Sequence, residues 1–223
     1  SKYGVDDIVL YFNDTKWEHE DLYRFNSDIS KLIGVPITCD SDGRSVEDVF
    51  WDNKALANNR MPFCSRILKA ERLQKFCEDG DTLFFGIGID EQHRAVRIEQ
   101  VYAEVQRKRG IHINVRFPLI ETNTSKQDID EWLLSVGVKP PFLYSLGFTH
   151  NNCSGGCVRA GKKQWVRLLK TLPDVYAKRE ALEVEMSDFL GKKVTYLKDE
   201  SLQDLRGRYE RGELSAHYDD LDD

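Results

Sequence analysis

The sequence lacks several features that define whole classes of protein. No apolar run approaches the roughly 20 residues that a membrane-spanning helix needs. Neither sign of charge dominates, since 32 Lys and Arg residues stand against 38 Asp and Glu residues, for a formal net charge of −6. Any contact with nucleic acid must therefore come from a local patch. Apolar residues make up 40% of the 223 residues, which excludes a disordered acidic chain, a collagen-like repeat and a disulfide knot.

The five cysteines cannot all form disulfides with one another, because their number is odd. The other features are typical of a cytoplasmic protein, and disulfides are rare in that compartment. Only Cys153 and Cys157 lie close together, in the sequence Cys-Ser-Gly-Gly-Cys. The two glycines permit positive φ angles and leave backbone amides free to approach sulfide or an anion. Because thiolates hold iron–sulfur clusters or zinc, this loop is a candidate metal-binding segment.

Such a site needs one or two further ligands from elsewhere in the chain. Cys64 is the best candidate, since it follows a proline-marked turn just before a predicted helix. Cys77 lies at the far end of the same helix, so that one element would hardly direct both thiols at one centre. We interpret Cys77 and Cys39 as small buried hydrophobic residues. His150, which precedes the loop, is interpreted as structural, with a role as ligand or proton donor as the alternative.

Apolar patterns predict strands that alternate with helices. An uninterrupted apolar run at 8–12 is typical of a strand buried on both faces of a parallel sheet. Further strands are predicted at 36–39, 82–89 and 111–119, and helices at 22–33, 45–57, 65–76, 92–108, 126–136, 158–171 and 173–190. We therefore expect an α/β fold with a doubly wound, mostly parallel, Rossmann-like sheet and a helical C-terminal part.

The domain organisation expected from these elements is one compact unit with two regions. Residues 1–140 are predicted to form an α/β core of the nucleotide-binding type. Residues 141–223 are predicted to form a helical region that carries the Cys-Ser-Gly-Gly-Cys loop. The acidic tail at 218–223 is expected to be frayed.

Polar residues follow the first predicted strand, at the sheet edge where α/β proteins bind ligands. Asp14 and Thr15 could contact a nucleotide or Mg²⁺ there. Their alternative role is helix capping, since Thr15 and Glu18 have the spacing of a capping box.

A second set of candidates surrounds the third strand and the helix that contains Cys64. Gly86 and Gly88 would let a ligand approach the backbone, and Arg94 could contact phosphate. The alternative is a plain strand-to-helix turn with an exposed charge pair. Arg66 and Lys69, one turn apart at a helix start, would suit an anion such as phosphate or sulfate. Their alternative role is that of ordinary exposed helix formers.

A local basic segment follows the cysteine loop at 159–179. Its cations, opposed by the single acid Asp174, are Arg159, Lys162, Lys163, Arg167, Lys170, Lys178 and Arg179. Such a segment beside a reactive centre suits a nucleic-acid or nucleotide substrate, although a solvated helix face explains the charges equally well. Trp165 lies at helical spacing with neighbouring leucines, so we interpret it as a core residue.

Several segments together resemble the phosphoadenosine phosphosulfate (PAPS) reductase-like family of the adenine nucleotide alpha-hydrolase (PP-loop) superfamily. They are FNDTKWE at 12–18, FCSRILK at 63–69, GIGIDEQHR at 86–94, FPLIE at 117–121, and LYSLGF at 143–148 leading into HNNC at 150–153. The resemblance implies a doubly wound sheet that binds ATP or an adenylyl sulfate. Members include sulfonucleotide reductases, tRNA-thiolating enzymes and DNA phosphorothioation proteins. Iron–sulfur members hold a 4Fe-4S cluster through cysteines in places similar to Cys64, Cys153 and Cys157.

Two departures from this family's pattern stand out. The pyrophosphate-binding loop Ser-Gly-Gly-x-Asp-Ser, expected after the first strand, is absent from the sequence. We therefore expect that the first strand, loop and helix of the family lie on another segment, have been lost, or come from a partner or a second copy in a homodimer. The nucleophilic cysteine that sulfonucleotide reductases carry near the C-terminus is also missing, since no cysteine follows Cys157.

The leading functional hypothesis is nucleotide-dependent sulfur transfer or nucleic-acid modification. The resemblance implies that ATP adenylates a substrate, and that sulfide on a cluster iron left open by three cysteine ligands then attacks. The residues that would line the nucleotide and substrate cleft are Asp14, Thr15, Arg66, Lys69, Gly86, Gly88 and Arg94. One alternative is reduction of an adenylyl sulfate. The other is a zinc- or cluster-stapled module that binds nucleic acid or a protein without catalysis.

Overall fold

Parallel strand pairs and helices alternate in the computed structural model, which describes Gly4 and residues 7–214. The acidic tail predicted to be frayed, at 218–223, lies outside the described residues. The chain divides into two units. The larger unit consists of two chain segments, one that ends at Lys69 and one that begins at Pro141. The smaller unit is Ala70–Pro140.

The elements follow the order expected for an α/β chain. The first are β1 (Leu10–Asn13), α1 (Glu20–Ile33), β2 (Ile37–Asp40), α2 (Val46–Asn53), α3 (Phe63–Ser65), a π-helical stretch (Arg66–Ala70) and α4 (Glu71–Phe76). They are followed by β3 (Thr82–Phe84), α5 (Gln92–Arg109), β4 (Asn114–Arg116), α6 (Pro118–Glu121) and α7 (Lys126–Ser135). The last are α8 (Phe142–Ser145), α9 (Lys162–Thr171), α10 (Pro173–Leu190) and α11 (Leu202–Glu210). The predicted α/β class is confirmed.

The larger unit begins with a strand–helix–strand segment. Strands β1 and β2 pair in parallel, with Leu10 opposite Ile37, and α1 connects them. His19 caps the start of α1, because its Nδ1 accepts a hydrogen bond from the Asp21 N–H at 3.1 Å. Gly34 ends the helix with a φ of 77°, a left-handed angle that glycine adopts without steric cost. Local sequence therefore determines both ends of this helix.

The hydrophobic core of the larger unit combines residues from both of its chain segments. Among its buried members are Trp17, Phe50, Cys64, Leu143, Cys153, Trp165, Tyr176, Met186, Tyr196 and Leu205. Trp165 is fully buried, as predicted, and its ring centroid lies 5.2 Å from that of Tyr196. Two of the cysteines are thus part of the core itself.

The smaller unit has its own parallel pair and its own core. Strands β3 and β4 pair with Thr82 opposite Asn114. Cys77, Tyr102 and Ile113 are buried together in one of its hydrophobic clusters. The strand predicted at 111–119 is shorter than expected at both ends, and on its C-terminal side Pro118 begins α6.

Several expectations meet a different outcome in the structure. Cys39 is exposed on β2, so its interpretation as a buried residue is wrong, whereas Cys77 is buried as predicted. The sequence analysis assigned no element to Leu202–Glu210, where α11 forms. The smaller unit ends at Pro140, and the chain up to Lys69 groups with the C-terminal region. No helix within the described residues is long and apolar enough to cross a membrane.

Candidate thiolate centre

The Cys-Ser-Gly-Gly-Cys loop has a left-handed backbone. Cys153 and Ser154 both have a φ of 53°, and Gly155 has a φ of 84°. This conformation costs about 1–2 kcal/mol for each residue that carries a Cβ, so tertiary contacts must hold it in place. Backbone hydrogen bonds close the turn, from the Gly155 N–H to Asn152 O and from the Gly156 N–H to Cys153 O, each at 3.0 Å.

The two glycines of the loop are needed for different reasons. A Cβ at Gly155 would lie 2.6 Å from the Phe148 ring, and the positive φ adds strain. Gly156 has an ordinary φ of −93°, but a Cβ there would lie 3.2 Å from Nε of Arg179. The prediction that the glycines permit positive φ is therefore met at Gly155. At Gly156 the requirement is for space.

The thiols of Cys153 and Cys157 are electrostatically coupled. Cys153 donates a hydrogen bond to Cys157, and this bond is the main cause that lowers the pKa of Cys157 to about 6. Burial opposes the shift, while the Arg159 N–H and the Lys69 cation support it. The same bond raises the pKa of Cys153, together with its burial. A negative charge on this pair is therefore favoured on Cys157 over Cys153.

Cys64 lies in the same core cluster as the thiol pair. It is positioned by the short helix α3 and is 6% exposed. Burial raises its pKa to about 11, and the negative charge of Cys157 raises it further. Cys64 therefore lies within electrostatic range of Cys157.

Glu18 connects three parts of this site. Its Oε1 accepts hydrogen bonds from the Thr15 hydroxyl and from Lys69 Nζ, both at 3.0 Å. Its Oε2 accepts a hydrogen bond from the backbone N–H of Cys153 at 3.0 Å. The Glu18 side chain is 1% exposed, so its charge depends on these partners. Because α1 begins only at Glu20, the predicted Thr15–Glu18 contact serves the thiolate centre and does not cap the helix.

Lys69 supplies a cation beside the thiols. Burial disfavours its charge, but Glu18 and the charges of Cys153 and Cys157 outweigh burial, so the pKa of Lys69 is raised. The predicted anion-binding lysine thus lies next to thiolates. The other predicted cation of this turn, Arg66, is exposed on the π-helical stretch.

Asp14 is held by its neighbours. Its Oδ1 accepts hydrogen bonds from the Lys16 N–H and from the Tyr23 hydroxyl, both at 2.8 Å. Its own N–H donates to Asp40 O at 2.9 Å, which extends the β1–β2 pairing by one residue. These contacts give Asp14 a structural role at the carboxyl end of β1.

The remaining predicted binding residues belong to the smaller unit. Neither Gly86 nor Gly88 has a positive φ. A Cβ at Gly86 would meet open space, whereas one at Gly88 would lie 2.7 Å from a carboxylate oxygen of Asp90. Arg94 forms an ion pair with Glu91 on the first turn of α5. This is the turn with an exposed charge pair that the sequence offered as the alternative.

The basic segment at 159–179 is not a uniform cationic surface. Arg167 and Arg179 are buried, at 4% and 8% exposure. Lys162 forms an ion pair with Glu200 at 2.5 Å, and Lys170 lies 5.6 Å from the ring centroid of Tyr209. The segment therefore exposes fewer free charges than its composition suggests.

The donor chemistry of the thiolate centre fits a sulfur-ligated metal group. Cys64, Cys153 and Cys157 are soft ligands of the kind that hold iron–sulfur clusters and zinc, and Lys69 offsets their charge. Within Gly4 and residues 7–214, however, no three His, Cys, Asp or Glu side chains are already grouped as a metal site.

Sequence reasoning missed Glu18 as a site residue, although it stands in the segment FNDTKWE that carried part of the resemblance. The capping-box spacing offered a local explanation for Glu18. Its real partners, Lys69 and Cys153, are 51 and 135 residues away along the chain. No local pattern signals contacts of that separation.

A comparison with family models places this centre in context. The model of the phosphoadenosine phosphosulfate reductase domain matches residues 2–159, more than half of the chain. The matched span contains every residue of the thiolate centre. No curated protein and no solved structure is significantly similar to the chain. The chain belongs to the phosphoadenosine phosphosulfate reductase domain family.

Proposed function

We propose that the chain is an enzyme of nucleotide-dependent sulfur transfer, in which Cys64, Cys153 and Cys157 hold a 4Fe-4S cluster. The observation that carries the proposal is the packing of three cysteines in one core cluster, where Cys64 and Cys153 are buried and Cys157 packs against them. Membership of the PAPS reductase domain family supports a nucleotide-related activity.

Each residue around the thiols has a separate task in this proposal. Lys69 offsets the negative charge that three thiolates would place in a buried site. Glu18 fixes Lys69 on one side, and on the other it holds the backbone of the cysteine loop through the Cys153 N–H. Thr15 orients Glu18 by donating to the same oxygen that accepts from Lys69.

A cluster with three protein ligands would supply sulfur chemistry at an iron that no side chain occupies. The acceptor would be activated by a nucleotide, ATP or an adenylyl sulfate, with Mg²⁺. Arg66, on the same turn as Lys69, is the cation proposed to meet phosphate on the larger unit. Gly86, Gly88 and Arg94 are the nucleotide contacts proposed on the smaller unit. Asp14 shapes the end of β1 in this proposal.

The test is iron and acid-labile sulfide analysis of anaerobically purified protein, with its absorbance spectrum. We expect both elements in the wild type and their loss in Cys64→Ser, Cys153→Ser and Cys157→Ser. Cys39→Ser is the matched control, because that thiol is exposed and outside the centre. A wild type without iron and sulfide would contradict the cluster. Zinc in their place would favour a metal-stapled binding module without catalysis.

A second candidate function, reduction of an adenylyl sulfate, is favoured by the lowered pKa of Cys157 and by the presence of Cys153 in the same loop. The Cys157 thiolate would attack the sulfur of the sulfo group, and the sulfur–oxygen bond to phosphate would break, releasing the adenosine nucleotide. Attack of Cys153 on Cys157 would then form a disulfide and release sulfite. An external dithiol such as thioredoxin would restore both thiols. Thioredoxin-dependent sulfite release in a metal-free chain would favour this candidate over sulfur transfer.

A further inference from the structure

Arg179 is a buried cation without an acidic partner. It is 8% exposed, on helix α10. Among the described residues no Asp or Glu forms an ion pair with it, and its Nε has no hydrogen-bond acceptor. Burial of a guanidinium without a counter-charge is costly. Buried Glu183 on the same helix, by contrast, accepts hydrogen bonds from two backbone N–H groups.

Two neighbours hold the Arg179 side chain in place. Its guanidinium carbon lies 3.2 Å from the ring centroid of Trp17, a cation–π contact that covers one face of the group. The backbone of Gly156 lies so close to Nε that a Cβ there would be 3.2 Å away. A guanidinium that is covered on its face still directs its N–H groups outward in its own plane. Arg179 is therefore preorganised beside the cysteine loop, and its N–H groups are not used by an acid.

Arg179 also lines a cleft of about 480 Å³ on the larger unit. The charged side chains around this cleft are Lys16, Lys178 and Arg179 and the acids Glu18, Glu47 and Glu185. Glu18 is neutralised by Lys69, and Glu47 acts on Arg179 only at a distance too long for an ion pair. Ser154 of the cysteine loop lines the same cleft. The cleft therefore places the guanidinium beside the cysteine loop.

We propose that Arg179 binds a tetrahedral oxyanion, a group of the sulfate or phosphate type, in this cleft beside the cysteine loop. Guanidinium N–H groups recognise such anions through paired, charge-assisted hydrogen bonds. The anion supplies the counter-charge that the protein lacks. That this anion is part of the substrate rests on the proposed function, whereas its binding by Arg179 does not. Arg179 lies beyond the residues matched by the family model.

The test is isothermal titration calorimetry of the full chain at low ionic strength. The probes are inorganic sulfate, inorganic phosphate, adenosine 5′-phosphosulfate and ATP, so that sulfate and phosphate sources are compared separately. Arg179→Met keeps an apolar stem against Trp17 and removes the charge. We expect it to weaken binding of the preferred anion about ten- to hundredfold, the worth of hydrogen bonds to a charged group.

Two further variants make the result specific. Lys178→Met removes an exposed cation of the same cleft and should change the affinity by less than about threefold, as a screened surface charge does. Arg179→Lys retains the charge without the paired geometry, so it should bind with intermediate affinity. If Arg179→Met does not fold, Gly156→Ala takes its place, because it keeps the charge and displaces Nε.

The outcomes separate this proposal from the proposed function. Cys157→Ser should lose iron and still bind the anion, since the Arg179 contact needs no cluster. Wild-type protein that binds none of the four probes would overturn the oxyanion site. Equal binding by the wild type and Arg179→Met, with Gly156→Ala also unchanged, would overturn it as well.

Discussion

At the scale of single residues, Glu18 is the side chain on which the thiolate centre depends most. It receives three hydrogen bonds from three separate places in the sequence, and its carboxylate is almost fully buried. We expect Glu18→Gln to destabilise the fold by about 2–4 kcal/mol. The substitution leaves Lys69 without its counter-charge, and it replaces the carboxylate that accepts from the Cys153 N–H with a neutral amide.

Urea unfolding monitored by circular dichroism measures this cost. Glu20→Gln is the matched control, since Glu20 is exposed at the first position of α1. It should change the unfolding free energy by less than about 0.5 kcal/mol. Equal stabilities of the two variants would contradict the role given to Glu18.

Glu183 makes the stability of the chain depend on pH. Burial raises its pKa to about 7, against the opposing effect of its bonds from Leu202 and Tyr196. Lys193 lowers this pKa and Glu180 raises it, both by smaller amounts. The folded state binds the Glu183 proton more tightly than the unfolded state does. The protonated side chain therefore stabilises the fold fully at pH values below 4.5, its usual pKa. That contribution is lost as the pH rises to about 7, and it amounts to about 3 kcal/mol.

The measurement is the unfolding free energy at pH 5 and pH 8 for the wild type and Glu183→Gln. The wild type should lose more stability than the variant over this interval, since glutamine does not titrate. Glu185→Gln, at an exposed position of the same helix, should keep the wild-type dependence. Equal changes in unfolding free energy between pH 5 and pH 8 for Glu183→Gln and the wild type would contradict this prediction.

At the scale of elements, the left-handed cysteine loop is the part most sensitive to substitution. Gly155→Ala would place a Cβ 2.6 Å from the Phe148 ring at a φ of 84°. We expect a loss of about 2–4 kcal/mol in unfolding free energy, from backbone strain and overpacking together. Thermal unfolding would detect it as a lower Tm.

Gly161→Ala provides the matched control for this loop. Gly161 precedes α9, has an ordinary φ, and a Cβ there would meet open space. Its substitution should leave the Tm within about 2 °C of the wild type. A similar Tm for the two alanine variants would show that the loop tolerates a side chain at Gly155.

The sequence predicted long helices better than strands. Helices α1, α5 and α10 have their observed ends within about two residues of the predicted ones, because capping residues, glycines and Pro173 mark them locally. The third and fourth strands are shorter than predicted. Apolar residues continue to Ile89 and Leu119, whereas the paired register ends at Phe84 and Arg116, and only the tertiary structure decides how far pairing extends.

At the scale of the whole molecule, the five thiols differ in their access to solvent. Cys39 is exposed and Cys157 is partly exposed, whereas the other three are buried. Iodoacetamide on native, metal-free protein should therefore label Cys39 and Cys157 first, and all five thiols only after unfolding. Peptide mass spectrometry measures the order. Rapid labelling of Cys77 in folded protein would contradict the burial of that thiol, which is 0% exposed.

The sequence by itself determined the α/β class, the ends of the main helices, the Cys153–Cys157 pair and the resemblance to the PAPS reductase-like family. These features depend on neighbours along the chain, through side-chain periodicity, capping and short spacing. The tertiary structure alone decided the exposure of Cys39, the joining of Glu18 to Lys69 and Cys153, and the burial of Arg179 against Trp17. Such contacts join residues far apart in sequence, and their energies depend on burial and on the charges that folding brings together.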